Sequence, residues 1–451
     1  MKIHFLGAAE TVTGSKIVVE SNEISVLIDC GLFQGLKELR LLNREPFSFL
    51  PENIDCVLLT HGHLDHCGWL PLLVKQGFKG KIFCTAPTKE IVKLILLDSA
   101  KIQEEEAEKA NKEHFSKHNP AEPLYTVYDA EKVFPLLKTV NPNEEILLKE
   151  MVSFNYFYAS HILGACSISL TIEGKKLVFS GDIGQDDDVL LFPPTKPKKA
   201  DYIFLESTYG NRVHPQNDVM LDLEVLISNT INKNGNVIIP SFAVERVQTM
   251  MYLLWQLKKQ ARIPNVPYII DTPMGINVLQ LFLENRKWHK LNDYECKEMC
   301  KMFTLITEYK DTIEAIYDNQ PKVVIAASGM ITGGRVLSYL ERYISKPENT
   351  ILLVGYQAEG TRGRRLLEGE TEIKMYGKYY TVEAKVFLVE GLSAHGDQND
   401  IINWLSDLEN KPQKLFLIHG ENEGLTGLKN KIEEVYKYEC LIPKRGQIID
   451  I

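Results

Sequence analysis

At 451 residues, with 44% hydrophobic and 25% charged side chains, the chain has the composition of a globular protein able to bury more than one core, so two or three domains are expected. No apolar run is long enough to span a bilayer and the opening "MKIHFLGAAE" has no secretory apolar core, which points to a cytoplasmic protein with no membrane partner. A net charge of -9 argues against indiscriminate nucleic-acid binding while leaving room for a local basic groove, and eight cysteines without a framework of spacings fit reduced thiols.

Short apolar strands dominate the first third: "KIHFLG", "SKIVVE", "ISVLIDCG", "CVLLTHG" and "KIFCTA". The stretch from Asp98 to Pro123 is charged and helix-forming, and reads as a solvated helix face. Strands resume with "FNYFYAS", "SISLTIEG" and "KLVFSGD", each ending in a polar residue of the kind that carries chemistry at a strand's carboxyl end. After "YIFLESTYG" the rhythm changes to strand, helix, strand: "NVIIPSFAVERVQTMMYLLWQL", "YIIDTPMG", "KVVIAASGMITGGRVLSYL", "NTILLVGYQAEG". That alternation predicts βα units on a parallel sheet, a doubly wound domain. The last segment, from "AKVFLVEGLSAHGDQ" to "KLFLIHGEN", returns to short strands. The simplest organisation is an α/β chain in which residues 1–208 begin one domain, 209–383 form an inserted one, and 384–451 complete the first. Cys296 and Cys300, one helical turn apart, are read as a buried face rather than a metal site.

The densest chemistry lies in "THGHLDHCG", where His61, His63, Asp65 and His66 follow an apolar run. Imidazole suits zinc and carboxylate suits zinc or harder ions, so the loop can ligate one or two divalent metals. The missing ligands are offered by His161 in "ASHILGA", Asp182 in "FSGD" and His419 in "LIHGE", with Asp182 the candidate bridge between two ions. A histidine after a strand is more often a hydrogen-bonded core or surface group, and His4, His114, His118, His214 and His289 take that reading.

The series "IDCG", "THGHLDH", "ASHILGA", "SGD" resembles the metallo-β-lactamase superfamily, and "LESTYG", "LSAHGDQ" and "LIHGE" resemble the three extra motifs of its β-CASP branch. "DCGLFQG" and "TVTGSK" are most similar to bacterial and archaeal RNases related to the eukaryotic cleavage and polyadenylation endonuclease. The resemblance covers essentially the whole chain and implies a metallo-β-lactamase αββα sandwich interrupted by an inserted doubly wound β-CASP domain. It implies one zinc on His61, His63, His161 and Asp182 and a second on Asp65, His66, Asp182 and His419, with Asp29 behind them orienting ligand imidazoles. It further implies that Glu206 orients His395, which protonates the leaving oxygen, and that the substrate is single-stranded RNA, since DNA-repair members of the branch typically carry valine where His419 stands. Neither an N-terminal KH module nor a long C-terminal dimerisation domain is expected.

Phosphodiester hydrolysis needs a strong nucleophile, neutralised charge at phosphorus and a proton for the leaving alkoxide; two zinc ions supply the first two and His395 the third. A β-lactam or thioester hydrolase needs no such extra acid. In the inserted domain "ASGMITGGR" follows a strand and opens a helix, so Ser328, Gly329, Gly333, Gly334 and Arg335 are expected to cradle an RNA phosphate, against the plainer reading of an ordinary glycine turn. In "PSFAVERVQ", Ser241 and Arg246 match the branch's phosphate-contacting motif. "GYQAEGTRGRRL" adds Arg362, Arg364 and Arg365, for which a backbone contact and a solvated loop are equally credible, and Arg362 is assigned no role.

The expected activity is therefore a zinc-dependent ribonuclease of RNA processing or decay, endonucleolytic first with 5′-exonuclease activity beside it. The alternatives are a small ester or thioester metallo-hydrolase and a catalytically silent RNA-binding scaffold; the latter class usually lacks several ligands, and none is missing here. RNA preference, oligomeric state, including a homo-oligomer, and zinc against manganese stay open, although the His-rich set favours zinc.

Overall fold

β-Branched and aromatic runs closed by glycine or polar turns become strands here, and the amphipathic runs between them become the helices that cover those strands. The computed structural model describes residues 1–113, 118–215, 217–355 and 357–451; His114 lies outside them. The chain divides into two compact units: Met1–Asp188, Phe192–Val213 and His395–Ile451 form unit 1, and Val189–Leu191 with His214–Ala394 form unit 2.

Unit 1 holds two seven-stranded sheets among the described residues. The first runs, in spatial order, Ile448–Asp450, Lys2–Phe5, Ile17–Glu20, Ser25–Ile28, Cys56–Leu58, Lys81–Cys84, Leu137–Thr139, antiparallel up to Ser25–Ile28 and parallel beyond it. The second runs Cys440–Leu441, Lys414–Ile418, Tyr202–Glu206, Lys175–Phe179, Cys166–Ile172, Val152–Tyr158, Ile146–Lys149, with its first four strands parallel. Aromatic rings join the two layers: Phe5 of the first sheet lies 5.4 Å from Phe416 and 6.1 Å from Phe204 of the second. Outside the second sheet, helices Gln398–Trp404 and Asn422–Val435 bury Ile401, Trp404, Leu425, Leu428 and Ile432 against Ile203, Leu205, Leu415 and Leu417. Helices Ala86–Glu113 and Val127–Glu131 pack together over the first sheet. The result is the expected αββα sandwich.

The charged helix differs from its expectation in extent. It begins at Ala86, well before Asp98, because Ile91, Val92, Ile95 and Leu96 give its first half a buried face, and the charged half continues the same helix into solvent.

Unit 2 is built on a parallel sheet ordered Phe303–Leu305, Tyr268–Asp271, Val323–Ala326, Val237–Pro240, Thr350–Val354, Lys385–Val389. Ile238, Val324 and Ile351 share one core with Val336, Tyr339 and Leu340 of helix Val336–Tyr343, while helix Val219–Ile231 also packs on the central strand Val237–Pro240. The expected boundary at 383/384 puts Lys385–Val389 with the C-terminal stretch; here that strand pairs residue for residue with Thr350–Val354, inside unit 2. Pairing decides this, since an isolated five-residue apolar run fits the edge of either sheet. All eight cysteines are free thiols, and Cys296 lies buried on helix Asp293–Lys301, as its structural reading expects. Among the described residues no helix is long and apolar enough to cross a membrane.

Candidate metal centre

Every metal-site residue expected from the sequence sits in unit 1, at or just past the end of a strand or on the short helix Leu64–Cys67. Asp29, His161 and His419 take left-handed backbone conformations, with φ of 57°, 51° and 48°. A residue with a Cβ occupies that region at a cost of about 1–2 kcal/mol, so the surrounding structure over-determines these turns to aim the side chains inward. Gly31 meets a second constraint, since a Cβ there would lie 1.5 Å from the Asp65 carbonyl oxygen. The backbone must pass this close because the Cys30 N–H donates to the His66 carbonyl at 2.7 Å and the Ser15 N–H to the Asp65 carbonyl at 2.8 Å.

The ligand atoms form two groups that share Asp182. In the first, His63 Nδ1 lies 3.1 Å from His61 Nε2 and 3.0 Å from His161 Nε2, and Asp182 Oδ2 lies 3.4 Å from both Nε2 atoms. The three rings stand nearly perpendicular to one another, at interplanar angles of 82°, 83° and 86°, with their nitrogens converging. In the second, His66 Nε2 lies 3.1 Å from His419 Nε2 and 3.3 Å from Asp182 Oδ1, and Asp65 Oδ2 lies 3.4 Å from His419 Nε2. Metal bonds of about 2.0–2.1 Å at tetrahedral angles put neighbouring ligand atoms about 3.3 Å apart, so these edges suit a divalent cation. Asp182 Oδ1 supplies the independent sign, being buried with no hydrogen-bond donor. The donor set fits a divalent metal.

The charge states agree with that role. Burial pushes His61 well below the ordinary imidazole value, and His66 adds to it. Burial likewise lowers His63 to about 4, against the pull of Asp65 and Asp182, so both rings are neutral and able to offer a lone pair. Burial alone would raise Asp182, but His419, His66, His61 and His395 outweigh it and hold the carboxyl well below its usual range. For His66, too, burial is opposed, here by Asp182 and Asp29, which raise its pKa well above the ordinary value.

A further layer fixes the ligands. Asp29 Oδ2 accepts from His66 Nδ1 at 2.8 Å, and Oδ1 accepts from the Thr60 N–H at 2.8 Å. Thr60 Oγ1 reaches Asp29 and lies 3.0 Å from His61 Nδ1; Thr208 Oγ1 lies 3.2 Å from His419 Nδ1. The two threonines are the functional residues that reasoning from sequence missed. Their only signal is adjacency to a motif, Thr60 opening "THGHLDH" and Thr208 lying in "LESTYG". Among the described residues, His4, His118, His214 and His289 belong to no ligand cluster. His4 pairs with Glu20, while His289 bonds the Phe282 carbonyl and stacks on that ring.

Glu206 and His395 come together beside the metal groups. His395 Nδ1 is 3.2 Å from each carboxylate oxygen of the fully buried Glu206, and its Nε2 is 3.9 Å from Asp182 Oδ2. Glu206 also accepts the Ile183 N–H at 2.6 Å and the Thr208 N–H at 3.3 Å, which leaves it no freedom to turn away. Burial would lower His395, yet Glu206 and then Asp182 overcome it and hold its pKa at about 9.

The expected phosphate contacts all lie in unit 2 and none joins the metal groups among the described residues. Ser241 is buried and its hydroxyl bonds the Phe242 carbonyl. Arg246 is also buried, close to Glu245, and its Nε has no hydrogen-bond acceptor. The loop of Ser328, Gly329, Gly333 and Gly334 closes on itself: the Ser328 hydroxyl accepts the N–H groups of Thr332 and Gly333 at 3.0 and 3.2 Å. An open cradle of amides was expected there, and the loop's own serine occupies it. Arg335 is a second departure. Its guanidinium bonds Asp271 at 2.6 Å and the carbonyls of Ile306 and Thr307, which ties two strand ends of unit 2 to the start of helix Val336–Tyr343 instead of facing outward.

Comparison with known proteins gives three family matches in chain order. Residues 12–213 match the metallo-β-lactamase superfamily, 247–366 the β-CASP domain, and 379–443 the Zn-dependent metallo-hydrolase RNA specificity domain. A ribonuclease of Thermus thermophilus is 32% identical, with 95% of each chain covered. An RNase J-like protein of Methanocaldococcus jannaschii is 30% identical over 100% of this chain and 99% of that one. A transcription termination factor of Methanosarcina mazei is 30% identical over 97% of this chain and 70% of its own length. A solved structure of a protein of unknown function from Enterococcus faecalis shares the fold alone, with a TM-score of 0.55 at 14% identity over 100% of this chain and 99% of that one.

Proposed function

The chain belongs to the β-CASP branch of the metallo-β-lactamase superfamily, and from that membership and its site we propose a zinc-dependent ribonuclease that hydrolyses phosphodiester bonds in single-stranded RNA using two metal ions. Endonucleolytic cutting is the main activity, with 5′-exonuclease activity beside it, in cytoplasmic RNA processing or decay. His61, His63, His161 and Asp182 would hold one ion, and Asp65, His66, Asp182 and His419 the other. When bound, such ions activate water and neutralise charge on the phosphate.

The observation that carries the reading is the Glu206–His395 pair beside Asp182. Thioester hydrolysis on such a metal site expels a stable thiolate and needs no separate acid. Departure of a sugar alkoxide from phosphorus does. The Nδ1–H of His395 donates to Glu206, which fixes the ring so that Nε2 carries the transferable proton on the side facing Asp182. As the phosphorus–oxygen bond breaks, that proton passes to the leaving oxygen, and Glu206 stabilises the imidazolium beforehand without itself becoming protonated. Thr60 and Asp29 keep His61 and His66 in the tautomers that face the metal groups. Arg246, with a buried Nε lacking an acceptor, is the unit 2 side chain best suited to take a phosphate oxygen.

The test is cleavage of one RNA labelled at its 5′ end and, separately, internally, beside the matched single-stranded DNA, by protein of measured metal content. Intermediate RNA fragments with DNA left intact support the proposal. Mononucleotides alone make the enzyme an exonuclease, and no cleavage by the two-metal protein overturns it in favour of small-ester hydrolysis or a silent scaffold.

A further inference from the structure

Unit 2 carries a small hairpin, Glu372–Met375 paired with Lys378–Thr381, whose inner residues Ile373 and Met375 join the unit's core. Its outer surface is aromatic and basic. Tyr379 and Tyr376 are 65% and 54% exposed, and Tyr309, at the start of a neighbouring helix, is 55% exposed. Two of these side chains converge, the Ser338 hydroxyl being 3.2 Å from the Tyr309 hydroxyl and 3.3 Å from that of Tyr376, and Tyr379 follows three residues after Tyr376, past the hairpin turn. Lys374 stands opposite Tyr379 in the register with its ammonium 5.6 Å from that ring, and Arg365, paired with Glu370, lies within electrostatic reach of Tyr379. Glu372 is the exposed acid at the far end of the hairpin, opposite Thr381.

The turn itself is unusual. Tyr376 and Gly377 both have positive φ, 49° and 81°, a two-residue turn in which asparagine followed by glycine is favoured. A tyrosine there holds a disfavoured backbone and keeps its ring half exposed, with only its hydroxyl tied down at Ser338. The hairpin is also anchored: Arg362 Nε donates to the Lys374 carbonyl at 2.8 Å, and Nη1 reaches the carbonyls of Ile331 and Thr332. That gives the arginine of "GTRGRRL" a bracing role between hairpin and neighbouring loop.

We propose that this face is an accessory platform for single-stranded RNA, on which bases stack against Tyr376, Tyr379 and Tyr309 while Lys374 contacts a phosphate. Every base offers a π-face, so such a platform holds RNA without reading its sequence, and the lysine adds a phosphate attraction that a chain of net charge -9 lacks overall. The rings alternate with charged side chains instead of forming one continuous apolar patch, which favours RNA over a protein partner. The inference rests on the ribonuclease reading above.

The test compares wild type with Tyr376→Asn and Tyr379→Ala on a long unstructured RNA and on an oligonucleotide just long enough to be cut, and maps cross-links from the long RNA carrying 5-bromouridine. For each variant, KM on the long RNA is expected to rise about tenfold with kcat unchanged, and both constants on the oligonucleotide to stay as in wild type. Asparagine suits the left-handed turn, so Tyr376→Asn keeps or raises the melting temperature, which separates lost affinity from lost fold. Cross-links should map to Tyr376 or Tyr379. Unchanged KM on the long RNA, equal losses on both substrates, or cross-links confined elsewhere overturn the platform. Failure of the ribonuclease reading shows separately, as wild type leaving the oligonucleotide uncut; cross-links then decide the hairpin alone.

Discussion

Two loops in this molecule leave the end of a parallel strand for a helix, and both look ligand-rich in sequence: residues 59–63 of unit 1 and 327–335 of unit 2. In the first, His61 and His63 point their nitrogens at groups from distant segments, His161 and Asp182, and no donor meets Asp182 Oδ1. In the second, the polar groups are already partnered: Ser328 with Thr332 and Gly333, Arg335 with Asp271 and two carbonyls. A loop is available for a ligand only where the fold leaves its polar atoms unsatisfied. Density of donors does not decide it.

The widest separation between the loops comes from Asp182→Ala. It removes the carboxylate whose two oxygens face the two ligand groups, so metal content should fall and RNA cleavage should drop by about 10³-fold or more, read by elemental analysis and cleavage rate. Retained metal and activity would dissolve the contrast. His395→Gln comes next: cleavage should fall by roughly 10²–10⁴-fold with metal content unchanged. The sign of its pH effect is fixed, because an acid must be protonated to act. Wild-type kcat/KM should therefore fall as pH rises through the His395 pKa, which is about 9 before nearby cations lower it. The variant should lack that alkaline fall.

Asp29→Asn tests the layer behind the ligands. It leaves an oxygen for the Thr60 N–H but removes the anionic acceptor for His66 Nδ1, and metal affinity or activity should drop about 10–100-fold in a competition titration. The smallest functional effect belongs to Arg335→Met. With Asp271 left buried and uncompensated, stability should fall by about 3–5 kcal/mol in a denaturant titration. The salt dependence of RNA binding should not change. A shallower salt slope would return Arg335 to the surface role the sequence suggests for it.

The candidate metal site was legible because histidines and aspartates rarely gather at the ends of apolar strands without a reason, and because "HGHLDH" concentrates four of them. The layered fold was legible from alternating runs that had only one buried face to offer. What stayed hidden is what depends on partners far along the chain. Arg335 finds Asp271 64 residues away, and nothing local marks that pairing. Thr60 and Thr208 are ordinary hydroxyls until a histidine nitrogen arrives beside them. The strand Lys385–Val389 reads the same whichever sheet accepts it, and only the register with Thr350–Val354 places it.

The interrupted layout of unit 1 also orders events in time. Unit 2 lies almost wholly within residues 214–394 and can fold as soon as those have left the ribosome, whereas both sheets of unit 1 wait for late strands, Lys414–Ile418 and Ile448–Asp450. His395 and His419 arrive with that same last portion. Until it is made, the growing chain holds the early members of the candidate site but lacks His395 and His419. A nascent chain of this protein thus cannot assemble that site until synthesis is nearly done.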